Sequence, residues 1–240
     1  MEEKNMSYSK ETIRKYVLNM KATIDGYLFQ LRNESALKVA ISYGNKKIGK
    51  VMNVSTAPLF TCGHNCKHCL GICYDIKACM QYGNVTKARA RNTVLAVYDR
   101  KSYFKQIDKA MSKRRANKYF RWHVAGDIID ADYFAHMVKL ARKHPDFVIW
   151  TYTKQYSIVN EYVRNNGGKR RKAIPANLSI MFSEWRGLAM ENPYGFPEFR
   201  VVFKDDAVKP SGFYCPGNCD ICKANHCGCI AGQTVYCNEH

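Results

Sequence analysis

Two hydrophobic spacings alternate along the chain, and their alternation predicts its architecture. Residues 1 to 35 are polar and mixed in charge. Within them Ser9 is placed to cap a helix beginning near Glu11, with Ile13, Tyr16, Val17 and Met20 at helical spacing. This stretch reads as a packing helix or an N-terminal arm. Residues 37 to 44 follow as a strand-like or loosely helical run, which Gly44-Asn45 breaks. Lys50-Val51-Met52-Asn53-Val54-Ser55 predicts a strand. From Val85 to Tyr119 the pattern is helical, with Phe104, Ile107 and Met111 on one face. Tyr119 to Val124 is a strand by its β-branched and aromatic content, and it ends in Ala125-Gly126-Asp127. Asp130 caps a helix carrying Tyr133, Met137, Leu140 and Ala141, and His144-Pro145 stops it. Phe147 to Tyr152 is a strand ending in Thr153-Lys154, followed by a short helix with Val159, Tyr162 and Val163. Asn165 to Lys172 is a flexible basic tip. Asn177–Phe182 and Phe199–Phe203 read as two more strands.

Strands alternating with helices predict an α/β fold, either a mainly parallel sheet or a partial (β/α) barrel. The loops after each strand then share one rim. That rim would gather the loop after the first strand, Asp127, Lys154 and Ser183-Glu184. The expected organisation is an N-terminal segment over 1–48, an α/β core over 49–210 and a C-terminal module over 211–240.

Charge adds a partner. Lys plus Arg number 38 and Asp plus Glu 20, a formal net charge of +18. Between Asn84 and Lys118 there are 11 Lys or Arg against Asp99 and Asp108 alone. A helical surface of one sign suits a polyanion, most often nucleic acid; a solvated helix face is the plainer reading. No apolar run approaches the ~20 residues of a membrane span, which predicts a soluble protein without membrane contact. Met1-Glu2-Glu3-Lys4-Asn5 shows no apolar signal region, so the expected setting is the cytoplasm.

The cysteines bring in the chemistry. Cys62, Cys66 and Cys69 stand in C-x3-C-x2-C order, and Cys73 extends this to C-x3-C-x2-C-x3-C. The loop is polar, with Gly63, His64, Asn65 and Lys67 between the thiols, which suits ligands better than core cysteines. A disulfide framework belongs to small secreted domains. Thiolates at this spacing suit an iron–sulfur cluster or zinc. Three cysteines leave one iron of a cubane open to a small molecule; Cys73 as a fourth ligand closes it. Cys215, Cys219 and Cys222 repeat the spacing, and Cys227, Cys229 and Cys237 follow, with His226 and His240. Six cysteines in 23 residues predict a second centre, zinc or [4Fe–4S]. Cys215, Cys219, Cys222 and Cys227 are its expected ligands, with Cys229 and Cys237 as alternatives; Cys79 stands similarly open at the first.

Two resemblances follow. C-x3-C-x2-C after the first strand resembles the cluster motif of the radical S-adenosylmethionine (SAM) enzymes. The resemblance implies a [4Fe–4S] cluster on Cys62, Cys66 and Cys69, with SAM on the fourth iron. It also implies that Gly126 and Asp127, at the end of the next strand, bind the SAM amino group. The chain has His68 where that family usually has an aromatic residue, and Ala125-Gly126-Asp127 where it has Gly-Gly-Glu. Residues from about Gly49 onward also resemble the phage "gene product 88" family. The matching pieces are Cys69-x3-Cys73-Tyr74, His123-Val124-Ala125-Gly126-Asp127, Tyr152-Thr153-Lys154 and Cys215-Pro216-Gly217-Asn218-Cys219. This second resemblance implies a phage or mobile-element origin and a host cytoplasmic setting.

Two functions are therefore expected as alternatives. One is a radical-SAM-like enzyme with a catalytic cluster, an auxiliary C-terminal cluster, an external electron donor and a substrate such as nucleic acid. In it Asp127, His123 and Lys154 serve the chemistry: His123 as a group beside the cluster rim, Lys154 as a holder of a carboxylate or phosphate. The other is a non-enzymatic protein in which zinc or clusters brace a nucleic-acid-binding surface.

Overall fold

The computed structural model describes residues 8–33 and 36–239. In chain order the elements are α1 (Lys10–Arg32), β1 (Met52–Val54), α2 (Tyr74–Gln81), α3 (Gly83–Tyr98), α4 (Arg100–Ser112) and β2 (Tyr119–Trp122). Then come α5 (Ala131–Lys143), β3 (Val148–Thr153), α6 (Tyr156–Asn165), α7 (Arg170–Ala173), β4 (Leu178–Glu184), β5 (Glu198–Val202), α8 (Cys219–Asn225) and β6 (Val235–Asn238). The six strands form one sheet in the order β1-β2-β3-β4-β5-β6, and every neighbouring pair is parallel. The sheet is open, with β1 and β6 at its edges. This is the expected α/β class in its parallel-sheet form.

Strand alternation divides the core in two. Phe120 and Trp122 on β2, Ile149 on β3, and Leu178, Ile180 and Phe182 on β4 face the helices. There α1 lies on α3, α3 on α4, α4 on α5 and α5 on α6. On the other face, Tyr119, Val148, Trp150 and Tyr152 meet Phe213, Cys219, Cys222, Cys227, Cys229 and Ile230. The strands follow sequence order without a switch point, so consecutive crossovers stack helices on one side. The face left over is covered by the cysteine-rich tail, which then supplies β6 to the same sheet. The tail is thus part of the core fold, and the expected boundary at 211 does not divide the sheet.

Several expectations are corrected by local chemistry. The basic run over 85–119 is two helices, because Asp99 accepts from the Ser102 N–H and caps α4. Residues 37–41 form no strand, and Ser42 makes an isolated antiparallel bridge to Asn53 of β1. Their backbone is satisfied by side-chain amides: Asn92 pairs with both Ala40 N–H and carbonyl, and Gln106 with Val39 N–H and the Leu37 carbonyl. The basic tip is partly helical, as α7. Helix α2 and strand β6 were hidden in cysteine-rich sequence. Ser9 and Asp130 cap α1 and α5 as expected. No helix among the described residues is long and apolar enough to cross a membrane.

Helix α2 begins directly after Cys73 and is fastened from behind. Buried Asp75 accepts two hydrogen bonds from the Arg89 guanidinium of α3, both at 2.9 Å. Removing one partner leaves the other charge buried and alone, which costs about 3–5 kcal/mol. Asp75→Ala is therefore expected to lower the unfolding free energy by an amount of that order, read as a lower urea midpoint. A midpoint equal to the wild type would show that α2 does not depend on this pair.

Candidate metal centres and the rim that joins them

The long loop after β1 returns over the carboxyl ends of β2 and β3 and is stitched to them. Ser55 Oγ accepts from the N–H groups of Val124 and Ala125, and the Thr56 N–H donates to the Ala125 carbonyl. Gly126 makes this approach possible. Its φ is +87°, and a Cβ there would lie 2.0 Å from Thr56 Oγ1 and 2.8 Å from Thr61 Oγ1. Thr56 and Thr61 bond each other at 2.8 Å. Further out, Gln155 Nε2 donates to the Cys62 carbonyl and Asn65 Nδ2 to the Lys154 carbonyl. The Tyr74 hydroxyl donates to the Val124 carbonyl.

Asp127 is buried at the centre of this rim. Its Oδ1 accepts from Ile128 N–H at 2.7 Å and Thr153 Oγ1 at 2.6 Å, and its Oδ2 accepts from Lys154 N–H at 2.9 Å. Burial raises its pKa, and these three donors oppose the rise. A carboxylate offers about four acceptor positions, so one on Oδ2 is left for a ligand. Lys154 holds its ammonium 5.4 Å over the Trp185 ring. Glu184 is engaged by Arg200 at 3.1 Å.

Cys62, Cys66, Cys69 and Cys73 are all half-buried on this loop. Burial, and then the Asp127 carboxylate, push the Cys62 thiol far above its ordinary value; Cys73 and Cys69 add to the rise. Burial also raises Cys66 and Cys73, and each feels Cys69. Cys69 thus acts on each of the other three thiols, and Asp127 on Cys62. Cys79 is buried apart from them, between α2 and α3, with its thiol on Asp75 Oδ2 at 3.7 Å. That geometry gives it a packing role.

The tail builds a second set against the uncovered sheet face. Cys215, Cys219, Cys222 and Cys229 line one opening with about 320 Å3 of empty space including its mouth. Trp150, Tyr152, Phe213, Ile230 and Val235 form its apolar wall. Cys229, and not the expected Cys227, stands on this opening. Cys227 lies beside Cys222, whose thiol is pushed up to about 12 by burial and then by Cys227. Burial likewise pushes Cys229 up to about 12, against a hydrogen bond with Tyr152. Cys215 and Cys237 share a hydrogen bond, which holds the Cys215 thiol below its ordinary value and Cys237 above. Among the described residues no three His, Cys, Asp or Glu side chains converge as they would on a single ion. His240 lies outside the described residues.

His123 does not sit beside the rim cysteines. Sheet pairing ends at Trp122, so the alternation expected to turn His123 inward stops one residue short. The imidazole stacks on Tyr133 of α5, and its Nε2 bonds the Tyr133 hydroxyl at 2.9 Å. Residues not foreseen as part of the site are Thr56, Thr61, Asn65, Gln155 and Arg121. Only Arg121 left a clear mark, as a lone cation inside the strand Tyr119-Phe120-Arg121-Trp122.

Of the eleven cations between 84 and 118, Arg89, Arg100 and Lys118 form ion pairs with Asp75, Asp130 and Asp132, and Asp146. Arg114 stacks on Tyr43. Lys87, Lys101, Lys105, Lys109, Lys113 and Arg115 are exposed on the outside of the helix layer.

A sequentially wound parallel α/β sheet, with one cysteine set on its carboxyl rim and another on its open face, defines the class of protein. The family model for gene product 88 matches residues 28–210, and the chain belongs to that family. No curated protein and no solved structure matches the chain.

Burial, reinforced by the Arg121 charge, lowers the His123 pKa from 6.5 to about 3, so the folded state holds it neutral. A depressed folded pKa means stability that is present above about 6.5 and is lost as pH falls toward 3. The slope in that window is up to about 1.4 kcal/mol per pH unit. Between pH 6.5 and 5 the wild type should lose about 2 kcal/mol more than His123→Gln, measured by urea unfolding. Parallel pH dependences would mean that His123 is accessible to protons in the fold.

Proposed function

We propose that this chain is an iron–sulfur protein of radical-SAM type, with an open cluster on the rim and a closed auxiliary cluster under the sheet. The observation that carries the reading is the fastening of the Cys62–Cys73 loop to Lys154 and Gln155, the former of which also donates its N–H to Asp127, on one rim. Loops after parallel strands are where such folds place their chemistry. Cys62, Cys66 and Cys69 would hold the rim cluster. Burial and neighbouring charge raise the Cys62 and Cys66 thiols when no cation compensates them, and ligation requires the thiolate. Cys73 is either the fourth ligand or a neighbouring thiol. When bound, such a cluster supplies the electron that cleaves SAM and generates a radical able to take a hydrogen atom from a substrate.

The chain's own groups would do the positioning. The remaining acceptor position of Asp127 Oδ2 would receive the SAM ammonium. Gly126 keeps the approach open, since any side chain there collides with Thr56. Lys154 would hold an anionic group, and Trp185 keeps its ammonium at the rim. Neutral His123 would support the rim from the aromatic core and would not deliver a proton. At the second site, Cys215, Cys219, Cys222 and Cys229 surround a space instead of meeting at a point. Four cysteines suit a [4Fe–4S] cluster and a zinc ion alike by donor type, and the cluster is the reading proposed. Cys227 would sit beside this cluster as the neighbour of Cys222. An external electron donor is required, and the setting would be the host cytoplasm.

The exposed lysines of α3 and α4 favour a nucleic acid as the substrate. They also support the alternative, a non-enzymatic protein in which zinc or clusters brace that surface. Anaerobically reconstituted protein separates the two. Iron and sulfide for two clusters are expected, and Cys62→Ala, Cys66→Ala and Cys69→Ala should each lose the rim cluster alone. SAM should perturb the electron paramagnetic resonance signal of the wild type and of Cys73→Ala. Asp127→Ala should weaken that response, because a charge-assisted contact of about 1.5–3 kcal/mol is lost. Zinc in both sites, or a rim cluster indifferent to excess SAM, would remove the enzyme reading.

A further inference from the structure

Among the described residues, Arg121 is the one charged residue on the sheet face that the cysteine tail covers. It occupies the middle of β2, in register with Asn53 on β1 and Trp150 on β3. Its guanidinium lies 4.7 Å over the Tyr152 ring. Tyr152 in turn is a wall of the opening lined by Cys215, Cys219, Cys222 and Cys229. Arg121 Nε is enclosed and has no hydrogen-bond partner. Among the described residues no carboxylate pairs with this side chain. The acidic groups that act on it are Tyr152, Tyr74, Cys219 and Cys229. A guanidinium stays charged at any ordinary pH. Arg121 is half-buried and its Nε is enclosed without a partner, so its charge is partly desolvated and a neighbouring anion would stabilise it.

The other cations near the tail cysteines do not fill this role. Lys47 is exposed, and its charge is screened by solvent. Lys223 is paired with Asp220. Arg121 alone approaches from the interior, where a charge acts through little water.

We infer that Arg121 is the internal counter-cation of an anionic, thiolate-bound centre in the Cys215–Cys229 opening, and that its fixed charge sets that centre's reduction potential. The inference rests on the cluster reading of the tail proposed above. Four thiolates make a [4Fe–4S] centre net negative, and reduction adds one more negative charge. A cation held against the cluster wall stabilises the reduced form more than the oxidised form and so raises the potential. In the measurement one electron passes from dithionite to the cluster, and no bond is made or broken. Arg121 is here a positioning residue for charge; it ligates nothing.

The test is a redox titration of the full chain, reconstituted anaerobically and followed by electron paramagnetic resonance, for wild type, Arg121→Gln and Arg121→Lys. Iron and sulfide are first quantified in the wild type; absence of a tail cluster there defeats the underlying cluster reading, and with it this inference. With the cluster present, Arg121→Gln should make reduction at least tenfold less favourable, about 59 mV lower for a one-electron couple. Arg121→Lys keeps the charge without the planar stack and should stay near the wild type. Loss of the tail cluster in Arg121→Gln with retention in Arg121→Lys supports the same conclusion by a different route. Equal potentials in all three proteins, or loss of the cluster in both variants, would overturn it: the first removes the electrostatic role, and the second assigns Arg121 to packing on Tyr152.

Discussion

A buried carboxylate holds the working end of this fold together. Asp127 takes the N–H of its own neighbour Ile128, the hydroxyl of Thr153 and the N–H of Lys154. These contacts join the loop after β2 to the end of β3. Gly126 beside it lets the β1 loop press in through Thr56 and Thr61. The cysteine loop is fastened beside this knot, by Gln155 on the Cys62 carbonyl and Asn65 on the Lys154 carbonyl. The same carboxylate also raises the pKa of Cys62. One buried charge thus ties the rim together and makes it hostile to free thiolates, a conflict that a bound cationic iron core would relieve.

The winding of the sheet explains the second cysteine set. Strands in sequence order send their helices to one face and leave the other apolar, with Trp150, Tyr152 and Val148 uncovered. An apolar sheet face must be buried. Here the tail buries it, and the tail is rich in cysteine. Burial and the placing of the thiols are therefore one event in this part of the fold: residues that cover Trp150 also line the opening. Arg121 stands on the same face as a half-buried cation whose Nε lacks a partner, which a negative neighbour would stabilise.

Strands β2 to β5 were legible because their runs are aromatic or β-branched and are bounded by turns. So were the caps at Ser9 and Asp130 and the gathering of the cysteine loop, Asp127 and Lys154 on one rim. What escaped was set by tertiary context. Strand β6 is four residues long, Val235-Tyr236-Cys237-Asn238, and exists because it can pair with β5. Residues 37–44 looked strand-like, yet they meet β1 in one isolated bridge, Ser42 to Asn53, while Asn92 and Gln106 hold the backbone of Leu37, Val39 and Ala40. Cys229 and Cys227 are indistinguishable by spacing; the turn after α8 decides which faces the opening. His123 was misjudged by one residue of strand length, which is enough to send a side chain to the other face.

The central claim is that the rim thiols hold an open cluster and the tail thiols a closed one. Mössbauer spectroscopy of protein reconstituted with iron-57, with and without SAM, tests it most directly. The account predicts the signatures of two [4Fe–4S] clusters, with a single iron of the rim cluster changing its environment when SAM is added. Isolated iron in place of clusters, or two clusters whose irons all ignore SAM, would contradict it.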